Sequence, residues 1–153
     1  MNQAQQIASP NQRLTIHPGK VGAVLALLAV AFGAFGAHAL REIVTPERLQ
    51  TFETGVRYQM YHALALLLMS VLPLKNYRAA WFLLIGTIIF SGSLYMLVLT
   101  DIGIFGAITP IGGVLQIIGW VLLLFFFFFL FVFWFCIVRL AHRNGEYCSI
   151  SRR

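Results

Sequence analysis

Few residues in this sequence could do chemistry, and those that stand out lie in or beside long apolar stretches. Two histidines and one arginine, His38, Arg57 and His62, interrupt such stretches. An ionisable side chain inside a membrane-embedded helix is costly and by default indicates a functional site. We therefore predict a polar pocket to which hydroxyl and amide side chains of other segments contribute. Its candidate residues are His38, Arg57, Tyr58, Tyr61, His62, Ser91, Ser93 and Gln116.

Each member of this set also has an ordinary structural explanation. A histidine near a helix end, as His38 is, can reach water at the membrane surface. Tyr58 and Tyr61 are typical of the aromatic belt that anchors helices at the membrane interface. Arg57 can extend its charge to that interface or pair with Glu53, four residues earlier on the same helix. Serine and glutamine in such helices commonly hydrogen-bond to a neighbouring helix.

His62 decides between these two interpretations. It follows Arg57 by five residues, or about 7.5 Å of helix rise, which is too deep for its short ring to reach the lipid headgroups. The ring therefore needs a polar partner inside the protein, and we expect it to be uncharged. Tyr58, one turn earlier on the same face, is the expected partner. We predict that His62 faces Arg57 and the first or fourth helix, with a purely structural hydrogen bond between helices as the alternative.

Catalytic machinery is not recognisable in the sequence. No nucleophile, base and orienting partner can be assembled from its serines, its histidines and Gln116. Phosphate-binding loops, zinc-ligand spacings and dinucleotide-binding fingerprints are absent from the sequence. We therefore predict no catalytic residue, no cofactor and no metal, and a protein that is not an enzyme.

The composition indicates that most of this chain is surrounded by lipid. Hydrophobic residues make up 59% of the 153 residues, charged residues 10%, and the mean hydropathy is +0.82. Apolar runs of about 20 residues favour membrane-spanning helices over a β-barrel, whose strands alternate. The basic residues behind the net charge of +6 are scattered at the ends of these runs, so nucleic-acid binding is not expected. We predict an all-α integral membrane protein.

Turn and charge signals divide the chain into four transmembrane helices of an antiparallel bundle. The Thr-Pro-Glu sequence at 45–47 predicts a short amphipathic surface helix between the first two of them, and Gly55 is expected to bend the chain into the membrane. Thr109 and Pro110 are expected to cap the fourth helix. The predicted segments are a polar tail at 1–20, helices at 21–40, 58–74, 79–100 and 111–138, and a basic tail at 139–153.

Small residues line one face of the first predicted helix. They recur at intervals of three and four residues, which places them on a single stripe. Such a stripe marks the face that contacts another helix, because helix association in membranes depends on close packing. Its members are Gly22, Ala26, Ala29, Gly33 and Gly36.

The fourth predicted helix is too long to stand upright in a bilayer. At about 28 residues it would measure about 42 Å, against a hydrocarbon core of about 30 Å. A run of phenylalanines occupies 125–129. We expect this helix to tilt or to protrude. Its Gly112, Gln116 and Gly119 share one face that should contact another helix, as should Ser91-Gly92-Ser93 of the third helix.

The distribution of basic residues predicts the orientation. Three lysines or arginines lie between the first two predicted membrane helices, where three acids balance them. Positive residues accumulate on the cytoplasmic side of membrane proteins, so both termini and the Lys75 turn are expected there. The eight residues on that side are Arg13, Lys20, Lys75, Arg78, Arg139, Arg143, Arg152 and Arg153.

Four sequence blocks resemble those of a known family. They are GAFGAHAL (33–40), TGVRYQMYHALALL (54–67), FSGSLY (90–95) and TPIGG with a following Gly-Trp (109–113, 119–120). In this order they resemble the YgdD-like family of small bacterial inner-membrane proteins, over roughly residues 21–120. The resemblance implies a four-helix inner-membrane protein, and it supplies neither a reaction nor a catalytic residue. The first 20 residues and the phenylalanine-rich stretch depart from the pattern of that family.

These features lead us to expect a membrane protein that binds a lipid or a protein partner, or supports a larger assembly. The alternative is a small transporter or channel component that acts as an oligomer, because the inner halves of the predicted helices offer a single chain no polar path. The expected partners are membrane lipids, a second copy of the chain or another membrane protein, and not nucleic acid. The expected location is the cell inner membrane.

Overall fold

The computed structural model of the protein describes residues 17–72 and 78–150. For residues 141–150 it describes the backbone only. This part of the chain is helical, as the all-α prediction requires. The predicted N-terminal tail up to residue 16, the Lys75 turn and the last three residues lie outside the described residues. The elements are α1 (Pro18–His38), a 3-10 turn (Leu40–Glu42), α2 (Pro46–Val71), α3 (Arg78–Thr100) and α4 (Ile104–Ile150).

Three stretches of the described chain are long and apolar enough to cross a membrane by length and composition. They are Pro18–Glu42, Arg78–Thr100 and Ile104–Leu140, which contain α1, α3 and most of α4. The mean hydropathy of α2 is lower because its first three turns carry Glu47, Arg48, Glu53 and Arg57. Its composition alone therefore does not identify α2 as a fourth span.

The predicted surface helix and second membrane helix form one continuous element. Thr45 and Pro46 occupy the N-cap and first position of α2, as predicted, although the Thr45 hydroxyl makes no capping hydrogen bond. The helix α2 continues without interruption through Gly55 to Val71. A β-carbon on this glycine would lie 2.8 Å from Cε1 of Tyr95. Gly55 is therefore suited to close packing against α3.

The predicted boundaries of the fourth helix are also wrong. The helix α4 begins at Ile104 rather than residue 111 and contains Pro110. The Thr109 hydroxyl does not cap it but donates to the carbonyl of Phe105, 3.1 Å away. Pro110 is the seventh residue of α4, beyond the first four residues whose N–H groups lack intrahelical partners, so it removes one hydrogen bond of the helix. At the other end the helix continues through the predicted tail to Ile150.

The stripe of small residues on α1 contacts α2, which confirms the prediction that it is a packing face. Ala29 is 1% exposed, and Gly22 and Gly36 are also buried. A β-carbon on Gly22 would lie 2.7 Å from the carbonyl oxygen of Ala63, whereas one on Gly33 would lie 3.6 Å from a methyl group of Val56. The closest approach is therefore at Gly22.

Glycines also allow α3 and α4 to approach each other closely. A β-carbon on Gly112 would lie 2.4 Å from the backbone nitrogen of Phe90, and one on Gly119 would lie 2.7 Å from the Leu83 side chain. The predicted contact face of helix four, Gly112, Gln116 and Gly119, is thus confirmed. On α3, Gly86 likewise allows close packing, because a β-carbon there would lie 2.9 Å from Gln116.

The last apolar part of α4 continues past the other described helices. Leu123 packs in a core cluster with Leu66, Met69 and Leu83. From Leu124 to Leu140 no side chain is buried. The apolar stretch Ile104–Leu140 has 37 residues and is therefore about 55 Å long, so α4 protrudes from the packed bundle.

Asp101 ends α3, as predicted, and also ties the α3–α4 turn to α2. Its backbone has a positive φ of 61°, a conformation in which helices commonly end and which aspartate tolerates better than most residues. Its carboxylate pairs with the guanidinium of Arg48 at the start of α2. The first turn of α2 and the last turn of α3 consequently lie at the same end of the protein.

Candidate functional site

The buried histidine lies between α2 and α4. His62 is 4% exposed. Its Nδ1 lies 2.6 Å from the carbonyl oxygen of Tyr58, and the indole Nε1 of Trp120 donates to its Nε2 over 3.2 Å. A carbonyl only accepts and an indole N–H only donates, so Nδ1 carries the proton and Nε2 accepts. Both ring nitrogens of an uncharged histidine are therefore satisfied.

This geometry corresponds to the structural alternative for His62. The ring faces α4, one of the two helices anticipated, and Tyr58 is a partner through its backbone carbonyl rather than its hydroxyl. Arg57 does not face the histidine. Its guanidinium lies 3.3 Å from the Glu53 carboxylate, and both side chains are about half exposed. The helical ion pair anticipated for these two residues is confirmed.

A second buried side chain, Gln59, joins three helices and was not among the predicted site residues. It is 4% exposed. Its amide nitrogen donates to the carbonyl of Leu25 on α1 over 2.9 Å, and its amide oxygen accepts from the hydroxyl of Tyr95 on α3 over 3.0 Å. Donor and acceptor are both used, so this amide fastens α1, α2 and α3 together.

The two serines of the predicted pocket also bond between helices. The Ser91 hydroxyl donates to the carbonyl of Gly55 over 2.8 Å, and the Ser93 and Thr109 hydroxyls lie 2.7 Å apart. Both serines are buried. Ser91 thus links α3 to α2, and Ser93 links α3 to α4.

A groove of about 530 Å³ lies among α2, α3 and α4 beside His62. Its edges are on the outer surface, because Tyr61, Ile117 and Trp120 are 56%, 64% and 47% exposed. None of its lining residues carries a formal charge when His62 is neutral. The lining residues are Tyr58, Tyr61, His62, Phe90, Gly113, Gln116, Ile117 and Trp120.

Gln116 is the exception in an otherwise satisfied polar layer. It lines this groove and is 4% exposed. Its Nε2 has no hydrogen-bond partner, the one such buried side-chain nitrogen or oxygen in the part of the chain that the structure describes. A buried amide donor without a partner is rare and calls for an explanation such as an unseen ligand or water.

The remaining predicted residues lie elsewhere. His38 is exposed at the end of α1. Arg57 lines a second cavity of about 290 Å³ between α1 and α2, with Glu53, Phe52 and Val56. Four of the eight candidates, Tyr58, Tyr61, His62 and Gln116, therefore share the groove, while the other four do not.

Metal binding finds no support within residues 17–72 and 78–140. No group of three or more histidine, cysteine, aspartate or glutamate side chains comes together there. The groove instead offers aromatic faces and hydroxyls, and Gln116 in its lining has a buried amide nitrogen that makes no hydrogen bond. These groups can bind an uncharged, largely apolar molecule.

Residues 32–113 match a family described as "Protein of unknown function (DUF423)". This chain belongs to the DUF423 family. A UPF0382 membrane protein of Staphylococcus aureus (strain bovine RF122) is 49% identical over 108 residues, which are 68% of this chain and 88% of that protein. The UPF0382 membrane protein YwdK of Bacillus subtilis (strain 168) is 48% identical over 109 residues, or 67% of this chain and 89% of YwdK. No solved structure matches the chain.

These relatives are named as membrane proteins, which agrees with the apolar helices of this DUF423 protein. The match to the family includes three of the four sequence blocks in full and the Thr-Pro-Ile-Gly-Gly part of the fourth. It therefore covers the Tyr95–Gln59 and Ser91–Gly55 hydrogen bonds, whereas Leu25, the other partner of Gln59, lies before the matched residues. Trp120 and Gln116 lie beyond the matched residues.

Sequence reasoning could have found Gln59 in this DUF423 protein. The buried residues of α2 recur at intervals of three and four along one face, and Gln59 lies between two of them. An amide on such a face must find partners inside the protein. Trp120 gave no comparable signal, because its neighbours at 121 and 122 are exposed apolar residues like those of any lipid-facing helix.

Proposed function

We propose that this DUF423 protein is a multi-pass protein of the cell inner membrane that binds an uncharged, lipid-soluble molecule in the groove beside His62. The groove carries this proposal, because it combines apolar aromatic walls with an amide donor that nothing in the described chain uses. Pockets for small molecules have this character, a mostly apolar lining with a few polar groups that orient the ligand. In this proposal the protein is not an enzyme.

The proposal takes α2 as a fourth transmembrane helix in an antiparallel bundle. Its 26 residues correspond to about 39 Å, which is enough to cross. It packs on both α1 and α3. Along α1 and α2 the contacts pair Gly22 with Ala63 and Gly36 with Phe52, so residue numbers rise on one helix as they fall on the other. The ionised residues of α2 lie in its first half, near one membrane surface.

The same proposal places both termini in the cytoplasm, and the charge bias supports it. Three basic residues lie between α1 and the middle of α2, whereas eight lie on the opposite side. The resemblance to YgdD-like inner-membrane proteins supports the location in the inner membrane.

A matched pair of glycine variants tests the groove. Gly113 lines it, and a β-carbon there would lie 3.8 Å from the Phe90 ring, so Gly113→Leu should fold while its side chain fills the groove. Gly92→Leu is the control, because a β-carbon on Gly92 meets nothing within 4 Å. Native mass spectrometry of protein extracted in mild detergent should show a bound small molecule on the wild type and on Gly92→Leu.

The Gly113→Leu variant should lose that molecule. Equal retention by both variants would contradict binding in this groove. A defined oligomer without any bound molecule would instead favour the alternative, a small transporter or channel component that acts as an oligomer.

A further inference from the structure

We infer that the groove takes a lipid with a planar, uncharged, carbonyl-bearing ring and a hydrocarbon tail, the chemistry of a membrane quinone. In this complex a ring carbonyl accepts a hydrogen bond from Nε2 of Gln116. This inference rests on the proposed function and deepens it by naming the class of ligand.

The unused donor identifies the kind of atom that binds. The other buried polar side chains nearby are already paired, His62 with Tyr58 and Trp120, and Ser93 with Thr109, whereas the hydroxyls of Tyr58 and Tyr61 belong to exposed side chains. Gln116 alone among the described groove residues keeps a buried nitrogen without a partner. The last torsion of a glutamine side chain is broad, so the amide can turn its N–H toward the groove. An N–H donor requires an acceptor, and a carbonyl oxygen is the acceptor that an uncharged lipid offers.

The depth of Gln116 excludes an ordinary phospholipid carbonyl. Gln116 packs against Gly86, and Gly112 one turn earlier packs against Phe90. Both partners are close to the middle of α3, whose 23 residues measure about 34 Å, close to the thickness of the hydrocarbon core. Gln116 therefore lies near the centre of the bilayer. A lipid held at the surface by a charged headgroup does not bring its carbonyls there, whereas a lipid without one does.

The groove walls favour a flat ring. The rings of Tyr58 and Phe90 are 4.8 Å apart with an interplanar angle of 33°. Tyr61 and Trp120 add two further aromatic faces to the lining. Aromatic side chains stack on planar groups in offset or edge-on arrangements. Without a charged group in its lining, the groove offers no compensation for bringing a charged headgroup into the membrane interior.

The outer edge of the groove leaves room for the tail. Tyr61, Ile117 and Trp120 form this edge and are about half exposed or more. In a membrane such surfaces contact lipid. A hydrocarbon tail attached to the ring can therefore leave the groove between these side chains and continue among the acyl chains.

The test uses the full chain, purified in detergent and freed of endogenous lipid. Decylubiquinone and dioleoylglycerol are titrated separately, and binding is followed by the shift in the unfolding temperature and by quenching of tryptophan fluorescence. The variant is Gln116→Met, which keeps the size of the side chain and removes the donor. Gln50→Met, at an exposed position of α2, is the matched control.

We expect decylubiquinone to bind the wild type and Gln50→Met equally, and to bind Gln116→Met at least about tenfold more weakly. Dioleoylglycerol should bind weakly to all three proteins. Without ligand, Gln116→Met should unfold at the same or a higher temperature than the wild type, because it removes an unpaired buried donor. That measurement separates loss of binding from loss of folding.

Three results would overturn the inference. Decylubiquinone binding that is unchanged in Gln116→Met but abolished in Gly113→Leu would remove the carbonyl contact and leave the groove as a binding site. Tighter binding of dioleoylglycerol than of decylubiquinone would show that the groove prefers an ester lipid to a lipid with a planar ring. Failure of both probes to bind, with no effect of Gly113→Leu on the molecules retained after extraction, would remove the proposed function as well.

Discussion

Replacing Trp120 by phenylalanine tests whether the hydrogen bond to His62 stabilises the bundle. The change removes the indole N–H but keeps an aromatic side chain, and it leaves Nε2 of His62 buried without a donor. Leaving a buried acceptor unsatisfied costs about 1–3 kcal/mol. The loss of packing should add little, because Trp120 is 47% exposed. We therefore expect Trp120→Phe to lower the free energy of unfolding by about 1–2 kcal/mol.

A double-mutant cycle separates the hydrogen bond from other effects. The four proteins are the wild type, Trp120→Phe, His62→Leu and the double variant. Hydrogen bonds between membrane helices measured in this way average about 0.6 kcal/mol and reach about 1.7 kcal/mol. Because His62 is 4% exposed and both its nitrogens are engaged, we expect a coupling energy in the upper half of that range. Reversible unfolding in mixed detergent micelles provides the four free energies.

Trp81→Phe is the control for this experiment. Trp81 lies on α3, is 45% exposed, and has no hydrogen bond from its side chain to another residue of the described chain. It should change the free energy of unfolding by less than Trp120→Phe does. Equal effects of the two substitutions, or a coupling energy near zero, would refute the argument that the indole donor satisfies His62.

Two further predictions concern packing and topology. Gly112→Ala should destabilise the protein by about 1–3 kcal/mol through overpacking, because its β-carbon would lie 2.4 Å from the backbone nitrogen of Phe90. The neighbouring Gly113→Ala, whose β-carbon would lie 3.8 Å from the Phe90 ring, should be neutral or stabilise by up to about 1 kcal/mol. Thermal unfolding that ranks the two variants in the opposite order would contradict the packing described. The topology test uses cells that express the protein without its own two cysteines. A membrane-impermeant thiol reagent applied from outside should label Gln50→Cys and not Asn76→Cys, whereas the reverse pattern would invert the orientation.

Sequence patterns predicted the helix contacts well where contact requires a small residue. A glycine within a membrane helix offers little to lipid but allows two backbones to meet, so the stripe on α1 and the pair Gly112 and Gly119 could be recognised in advance. Helix starts were predicted poorly. Proline is favoured at the first position of a helix, so Thr109 and Pro110 indicated a start there, whereas the continuation back to Ile104 depends on how α4 packs on α3. Local signals do not contain that information.

The boundary of α2 also decides how far His62 lies from the start of its helix. A membrane helix that begins at Tyr58 places His62 in its second turn, near the outer surface. In the continuous helix from Pro46, His62 is 16 residues from the start, or about 24 Å along the axis, and its hydrogen bonds lie in the interior of the bundle. Gln59, His62 and Ser91 thus form an internal polar layer. At that depth water cannot replace missing partners, so pairing within the protein is required for each of them.

This requirement gives Gln116 its significance among the polar residues of the chain. Gln59 bonds to α1 and α3, His62 bonds to α2 and α4, and Ser91 uses a backbone carbonyl of α2. Of the three ionisable residues that most resembled a reactive site, His62 accordingly holds two helices together, whereas His38 is exposed and Arg57 pairs within α2. The residue type alone could not distinguish Gln59 from Gln116, since a glutamine at either position can donate and accept. The difference arises from the neighbouring helix: Gln59 faces a carbonyl and a tyrosine hydroxyl, whereas Gln116 packs against Gly86, which offers no side chain to its amide.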